Sequence, residues 1–584
     1  MFPVALLRNV LRVLIPLAVT STFYLYLYPV FGGCAFPLPH PVDQVEQDAA
    51  AAFQDTARQH LISSSSHAAP FRLLALGDPQ LEGDTSIPNH NREAFLHLNW
   101  AIRHLTFKTD QPSLRLRLRQ ACHDLVDFYF EDIPNTLESI RKHIDLFGND
   151  FFLAHIYRTL RWWTKPTHVT VLGDLLGSQW IRDKEFDQRS WRFWNRSFQG
   201  GERVPDEVAT HPGAEYEVDG LLGVEDGNAT AWRRRVINVA GNHDIGYAGD
   251  LTVERLERFE RAFGKAAYEL RFELPIQNST INATIYNAET NPDSNRLSPE
   301  LRIVNINNMN LDTPALEPSL QDKTYAFLND VINTASAVEY LGHFTLVLTH
   351  IPLYKAEGVC VDGPYFTFHP RGGVKEQNQL SADASRGFLE GIFGLSGDPN
   401  APGHGMGRKG VVINGHDHEG CDTYHYINQT EGDDRQWRVK RWPAAQTENL
   451  PGQPGVPGLR EITVRSMMAD YDGNAGLLSV WFDQDAWEWR FEFTTCALGR
   501  QYFWWAVHIV DLIVLVGLVL YGISQAVAAA GFDVENWSIG TPALPSPTTN
   551  GMSGKAIHAQ PAHVANGNSK KGYTGPSQGA EVQG

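Results

Sequence analysis

Four times in this chain a short aliphatic run ends in glycine followed at once by side chains that bind metals or carry protons. The runs are Phe71–Leu76 before Gly77-Asp78-Pro79-Gln80, His168–Leu172 before Gly173-Asp174-Leu175-Leu176-Gly177, Val236–Ala240 before Gly241-Asn242-His243-Asp244, and Val411–Asn414 before Gly415-His416-Asp417-His418. A fifth run, His343–Thr349, ends directly in His350. Apolar runs this short, bounded by turn residues, have the length of buried strands. Polar residues at the carboxyl end of such a strand point into the crevice where open α/β sheets bind ligands. The pattern predicts an α/β fold whose strand ends converge on one polar site.

Each motif has a plain reading when taken alone. Gly-Asn and Asp-Pro are ordinary turn chemistry, and a histidine at a strand end is more often a satisfied core residue than a ligand. His343, which opens its strand, keeps that core reading. Together the motifs supply complementary parts. Asn242 offers a hard neutral oxygen, His243 a proton, and Asp244 a carboxylate able to orient that imidazole. Asp78 and Gln80 are candidate ligands from the first strand, and Asp174 is a carboxylate from a strand expected beside it, placed to bridge. His416 and His418, two residues apart on an extended segment, project to the same side and reach one compact metal pair.

The formal charge of -18, from 67 acidic and 49 basic residues, excludes a nucleic-acid binder built on basic stripes. Val13–Val30 is apolar or aromatic apart from Thr20, Ser21 and Thr22, and follows Arg8 and Arg12. It is long enough to span a bilayer, exceeds a usual signal-peptide core and lacks a small-x-small cleavage site, so it reads as an uncleaved anchor. Tyr502–Ile523 is a second span, opening on the aromatic belt Phe503-Trp504-Trp505 and containing His508 and Asp511. An Asp inside a membrane costs about 2.5–3.5 kcal/mol on insertion scales, so Asp511 should face the other helix or water. Arg8 and Arg12 put the N-terminus in the cytoplasm and the region between the spans in the lumen, although Arg500 runs against the same rule at the second span.

The expected organisation is a cytoplasmic N-terminus 1–9, an anchor 10–31, a lumenal spacer 32–70 with a helical piece Val45–Leu61, a catalytic domain 71–496, a span 502–523 and a disordered cytoplasmic tail 524–584. Sequons at Asn195, Asn228, Asn278, Asn282 and Asn428 fall in the lumenal part, and one at Asn536 falls in the tail. Residues 91–163 read as helices covering a sheet, with Cys122 a buried thiol. Asp183–Trp232 reads as a surface insertion, with Trp180 and Arg182 just before it as candidates for the substrate side. Phe272–Asn310 reads as antiparallel strands, including Ile281–Tyr286 and Leu301–Ile306, with Asn305, Asn307, Asn308 and Asn310 serving backbone groups in loops. Cys360–Gly410 reads as a loop at the substrate entrance, and Arg460–Ser466, Leu477–Phe482 and Trp487–Thr494 as closing strands. Of the five cysteines, Cys421 has Cys360 as a possible partner and Cys34 has Cys496, with one left over.

The ordered set GDPQ, GDLLG, GNHD, strand-end His and GHDH resembles the calcineurin-like metallophosphoesterases over roughly Phe71 to Thr494. The resemblance implies a four-layer α-β-β-α sandwich, here flanked by two transmembrane helices. It assigns Asp78, Gln80, Asp174 and His418 to one metal, and Asp174, Asn242, His350 and His416 to a second. His243 becomes the group that protonates the leaving oxygen, with Asp244 behind it. Water between two cations would then be the attacking group, not a side chain. Gln80 stands where the family usually has histidine, and its harder oxygen tilts the site toward Mn²⁺, with Zn²⁺ or Fe as the other candidates. The two spans, His168–Ile181, GHDHEGCD and Arg460–Met468 are similar to the membrane-anchored group that removes an ethanolamine-phosphate branch from a mannose of the GPI glycan in the endoplasmic reticulum. That implies GPI-anchored proteins as substrate, an ER membrane location with cycling to the Golgi, and cargo-sorting receptors as partners in export. The alternatives are a lumenal phosphodiesterase for another lipid head group or a nucleotide, and a non-catalytic trafficking adaptor.

Overall fold

The computed structural model describes residues 4–39, 68–87, 93–210, 229–274, 299–468 and 473–532. The expected helix Val45–Leu61, the strand Ile281–Tyr286, the sequons Asn228, Asn278, Asn282 and Asn536, and the tail beyond 532 lie outside these residues.

In chain order the strands are β1 (Phe71–Leu76), β2 (His168–Val171), β3 (Glu202–Arg203), β4 (Arg235–Asn238), β5 (Tyr268–Glu273), β6 (Glu300–Asn305), β7 (His343–Leu348) and β8 (Phe366–Phe368). They continue with β9 (Val374–Gln377), β10 (Lys409–Asn414), β11 (Cys421–Tyr426), β12 (Arg438–Arg441), β13 (Gly458–Thr463), β14 (Asn474–Asp483) and β15 (Glu488–Ala497). The longer helices are α1 (Val4–Phe31), α2 (Leu96–Leu105), α3 (Leu114–Asp127), α4 (Ile133–Thr164), α5 (Asp183–Arg192), α6 (Val253–Phe263), α7 (Pro318–Asn333), α8 (Ala382–Phe393) and α9 (Gln501–Ala529).

Two mixed sheets result. The first runs β15-β14-β1-β2-β4-β3 and the second β12-β11-β13-β10-β7-β6-β5. In both, the motif-bearing strands are parallel and central: β1 beside β2 beside β4, and β7 beside β10. The antiparallel β14–β15 and β11–β12 pairs lie at the edges. Phe71, Leu73 and Ala75 of β1 share a buried cluster with Leu346, Leu348, Val411 and Ile413 of the second sheet, so the sheets pack face to face. Alternate positions Leu74 and Leu76 turn to a different cluster containing helix residues such as Phe152, Ile156 and Phe388. Asn238 Nδ2 donates to Phe263 O at 3.0 Å, fixing α6 on the first sheet, and Arg302 Nη1 donates to Val331 O at 2.8 Å, fixing α7 on the second. The layers are helix, sheet, sheet, helix, as the resemblance implied. Central strands covered on both faces explain the near-continuous aliphatic runs in the sequence.

Several expectations are corrected. Phe186, Phe193 and Phe198 are fully buried, so the part of the supposed surface insertion from Asp183 to Val204 belongs to the core; its aromatic residues satisfy an outer helix layer. Cys360–Gly410 is not all loop, since it holds β8, β9 and α8. The closing strands divide between sheets, β13 pairing with β10 and β14 with β1. Only part of Phe272–Asn310 is antiparallel: β6 pairs that way with β5 but runs parallel to β7, and Asn305 ends a strand instead of lying in a loop. Cys122 is exposed on α3, not buried.

α1 and α9 have 28 and 29 residues, roughly 42 Å at 1.5 Å per residue, and each carries an apolar stretch sufficient to cross a membrane. Thr22 Oγ1 donates to Asp511 Oδ2 at 2.9 Å, so the Asp511 carboxylate faces the other apolar helix. Disulfides join Cys34 to Cys496 and Cys360 to Cys421.

Candidate metal centre

The carboxyl ends of β1, β2, β4, β7 and β10 deliver Asp78, Asp174, Asn242, His350 and His416 to one place. The backbone is bent hard to achieve this. Asp78, Gln80, Asp174 and His416 all take left-handed φ values of 43°, 40°, 49° and 71°, a conformation that costs non-glycine residues roughly 1–3 kcal/mol and clusters at functional sites. Two glycines are required by contact. A Cβ on Gly173, whose φ is 94°, would sit 2.2 Å from His350 Nδ1, and one on Gly241 would sit 2.2 Å from the Asp174 carboxylate.

Two groups of donors share one residue. Asp174, His350 and His416 bring one donor atom each within 4.8 Å of one another, and Asp78, Asp174 and His418 do the same. Asn242 Oδ1 lies 2.9 Å from His350 Nε2 and 3.0 Å from His416 Nδ1, so it joins the first group. Outer contacts fix which imidazole nitrogen faces inward. His350 Nδ1 donates to Leu172 O at 2.7 Å and His416 Nε2 to Gln377 O at 2.9 Å, leaving His350 Nε2 and His416 Nδ1 as lone-pair donors. Burial holds the His416 imidazole down, to about 3, and lowers His418 as well, so both are neutral, as ligands must be. Gln80 Nε2 donates to Asp174 Oδ2 at 3.1 Å and lies 3.1 Å from His418 Nε2. Its oxygen reaches the same point after a half-turn of the amide.

The donor set fits divalent cations. Asp78 and Asp174 are at most 1% exposed, and among the described residues their ion-pair partners are histidines. Burial, with Asp174 beside it, pushes the Asp78 carboxyl up to about 8. Burial also works against ionisation of Asp174, but His350 and His243 hold it well below the usual carboxylate range. Burial works against charging His350, yet Asp174 and Asp78 raise its imidazole to about 9, so these carboxylates draw positive charge into the site; a bound divalent cation would supply that charge and leave the imidazole neutral, as a ligand must be.

Asp244 requires a correction. Its carboxylate does not hold the His243 ring; it accepts from the backbone amides of Gly241 (2.9 Å), Leu176 (2.9 Å) and Leu175 (3.2 Å). A side chain three residues after the Gly241 that starts the turn folds back on its own loop and pins it to the β2 loop. His243 donates its backbone amide to Asp174 Oδ1 at 2.9 Å, and its half-exposed ring puts Nε2 3.7 Å from Asp174 Oδ2. Trp180 is exposed beneath the Arg255 guanidinium, and Arg182 precedes α5.

Asn308 serves loop backbone, as its sequence setting suggested: its Oδ1 accepts from the Ile351 amide at 3.1 Å, fixing the His350 turn. Two other supports were not read from the sequence. Gln377 acts through its backbone carbonyl, which carries no side-chain signal. A buried cluster braces the loops from behind: Glu461 Oε2 meets Lys355 Nζ at 2.8 Å and His425 Nε2 at 2.6 Å, while Oε1 accepts from Leu353 N and Asn414 Nδ2, each at 2.7 Å.

Sandwiched sheets with two overlapping donor groups at their strand ends define a metallophosphoesterase. The chain is 31% identical to Protein TED1 of Saccharomyces cerevisiae over 417 residues, covering 64% of this chain and 77% of that protein. It is 26% identical to an uncharacterized protein of Schizosaccharomyces pombe over 389 residues, 63% of this chain and 78% of the other. It is 22% identical to Metallophosphoesterase 1 of Danio rerio over 312 residues, 52% and 65% of the two chains. No family model matches. The chain belongs to the metallophosphoesterase family, in the group that includes Protein TED1, and is a hydrolase.

Proposed function

We propose that this protein hydrolyses the ethanolamine-phosphate branch on a mannose of the GPI-anchor glycan, on the lumenal face of the endoplasmic reticulum membrane. The observation that carries the reading is the pair of donor groups sharing Asp174. Asp78, Gln80, Asp174 and His418 would hold one divalent cation, and Asp174, Asn242, His350 and His416 the other, with Mn²⁺ favoured by the oxygen of Gln80. When bound, the cations would lower the pKa of a water and neutralise the phosphate oxygens. The chain itself supplies the rest. Asp174 ties the two positions together, and His243, half-exposed at the rim, delivers a proton to the departing mannose oxygen. Asp244 keeps His243 in place through the loop backbone.

The substrate assignment draws on the resemblance of His168–Ile181, GHDHEGCD and Arg460–Met468 to the GPI-remodelling phosphoesterases and on the similarity to Protein TED1. Two disulfides in the region between the apolar helices support an oxidising, lumenal compartment. The domain 71–496 then faces the lumen between spans 10–31 and 502–523, and cargo-sorting receptors would act on the product proteins. Purified full-length protein is incubated with Mn²⁺ and a GPI-anchored reporter, and the glycan is weighed by mass spectrometry. Loss of one ethanolamine phosphate, absent with His243→Ala, is expected. An unchanged glycan alongside cleavage of a simple aryl phosphodiester would remove the GPI assignment and leave the hydrolase.

A further inference from the structure

The helical hairpin α2–α3 and the free half of α4 have their polarity inverted. Inside the hairpin, Asp132 (4% exposed) accepts from His97 N at 2.8 Å and lies 2.9 Å from His97 Nδ1. Asp124, 1% exposed, accepts from Gln120 Nε2 at 3.1 Å and lies 3.6 Å from His104 Nε2. Ala101 and Ala121 are the small buried residues between the helices. Outside, the large apolar residues stand bare. On α3 they follow one stripe, Leu118, Cys122, Val126 and then Tyr129, and Phe130 beside it is 70% exposed. On α4 a second stripe runs through Leu137, Ile140, Ile144 and Phe147, at spacings of three and four residues.

In water this arrangement is backwards. A soluble helix pair buries its leucines and hydrates its aspartates. In lipid, helices associate through small residues and through polar pairs turned inward, and apolar side chains face outward.

The position of the face says what covers it. The α4 stripe runs directly into the start of α9: Phe147 packs on Phe151 with ring centroids 4.7 Å apart, and a Cβ on Gly148 would overlap Trp505. Farther along α4, Trp163 Nε1 donates to Tyr26 O of α1 at 2.9 Å. The exposed stripe therefore runs up to the start of α9, and the same helix goes on to meet the end of α1. Around the hairpin turn, Arg103–Arg119 carries five basic residues against Asp110 alone, in a chain of formal charge -18. Basic residues bordering an apolar face suit phosphate head groups above acyl chains. α2 and α3, roughly 15 and 21 Å long at 1.5 Å per residue, are too short to span a bilayer.

We propose that this hairpin and the free half of α4 form a monotopic membrane element, seated in the leaflet from which α1 and α9 emerge on the side of the catalytic domain. The inference is independent of the GPI reading.

Cys122, the free thiol on the stripe, is a native reporter. Full-length protein labelled there with a nitrobenzoxadiazole fluorophore is reconstituted into phosphatidylcholine–phosphatidylserine liposomes. A Cys122→Ser, Asp485→Cys protein carries the same label on the far β14–β15 turn. The expected result is blue-shifted emission at 122, protected from iodide and quenched by doxyl-labelled phosphatidylcholine, with the reverse at 485. Iodide quenching at 122 equal to that at 485 would overturn the proposal. So would protection from iodide without quenching by doxyl lipid, because a second copy or another protein would then cover the face.

Discussion

Glu461 allows a quantitative test of how the metal loops are held. It is fully buried and paired with a buried Lys355, and Oε1 joins the loop after His350, through Leu353 N, to the strand before His416, through Asn414. Glu461→Gln keeps the shape and leaves a buried ammonium without its anion, a change that costs about 3–5 kcal/mol. At roughly 2 cal/mol/K per residue for a domain of about 400 residues, that lowers the melting temperature by about 4–6 °C. Thermal scanning of the full-length protein in detergent measures it. Glu448→Gln, at the exposed Lys440–Glu448 pair, is the control and should cost less than about 1 kcal/mol. Lys355→Met added to Glu461→Gln removes the stranded charge and should recover most of the loss. The pH dependence has a fixed sign. Burial pushes the Glu461 carboxyl up, but Lys355 and His425 outweigh it and hold the carboxyl well below its usual value. A depressed folded-state pKa stabilises fully above the unfolded value of about 4.3 and loses that contribution as pH falls through the folded value. The gap between wild type and Glu461→Gln should therefore narrow below about pH 4. If Glu461→Gln costs no more than Glu448→Gln, or the double variant is no better than the single, the bracing argument fails.

Asp174→Asn should lose both bound metals and Asp78→Asn one, read by elemental mass spectrometry of the purified protein; equal retention in both would contradict the shared-carboxylate geometry. His243→Ala should retain metal while its turnover drops by roughly 10²–10⁴, the range for a lost proton donor, and an unchanged rate would remove that role. Gln80→His should shift preference from Mn²⁺ toward Zn²⁺ in competition binding; an unaltered preference would show that Gln80 is not a ligand.

Legibility in the sequence followed backbone regularity. β1, β2, β4, β7 and β10 were readable because strands covered on both faces must be continuously aliphatic, and their glycines marked where the chain turns into the site. The gathering of Asp78, Asp174, Asn242, His350, His416 and His418 followed from where those strands end. Asp244 was misread because a carboxylate next to a histidine has two available partners, and only the fold reveals that three backbone amides win. Phe186, Phe193 and Phe198 were assigned to the surface because polar neighbours mask aromatic residues spaced for a helix. The membrane-side hairpin was legible only as helix: periodicity shows an apolar face but not whether protein or lipid covers it. The glycines mark the turns but not the residues that bend: the left-handed φ falls on Asp78, Gln80, Asp174 and His416, none of which is itself a glycine or asparagine.

Cys34 follows the end of α1, Cys496 precedes the start of α9, and their bond ties those two exits together while Thr22 and Asp511 hold the helices deeper down. The bond closes the chain between them into one covalent loop, so a single cut in an exposed segment of that loop would leave both pieces joined until the disulfide is reduced.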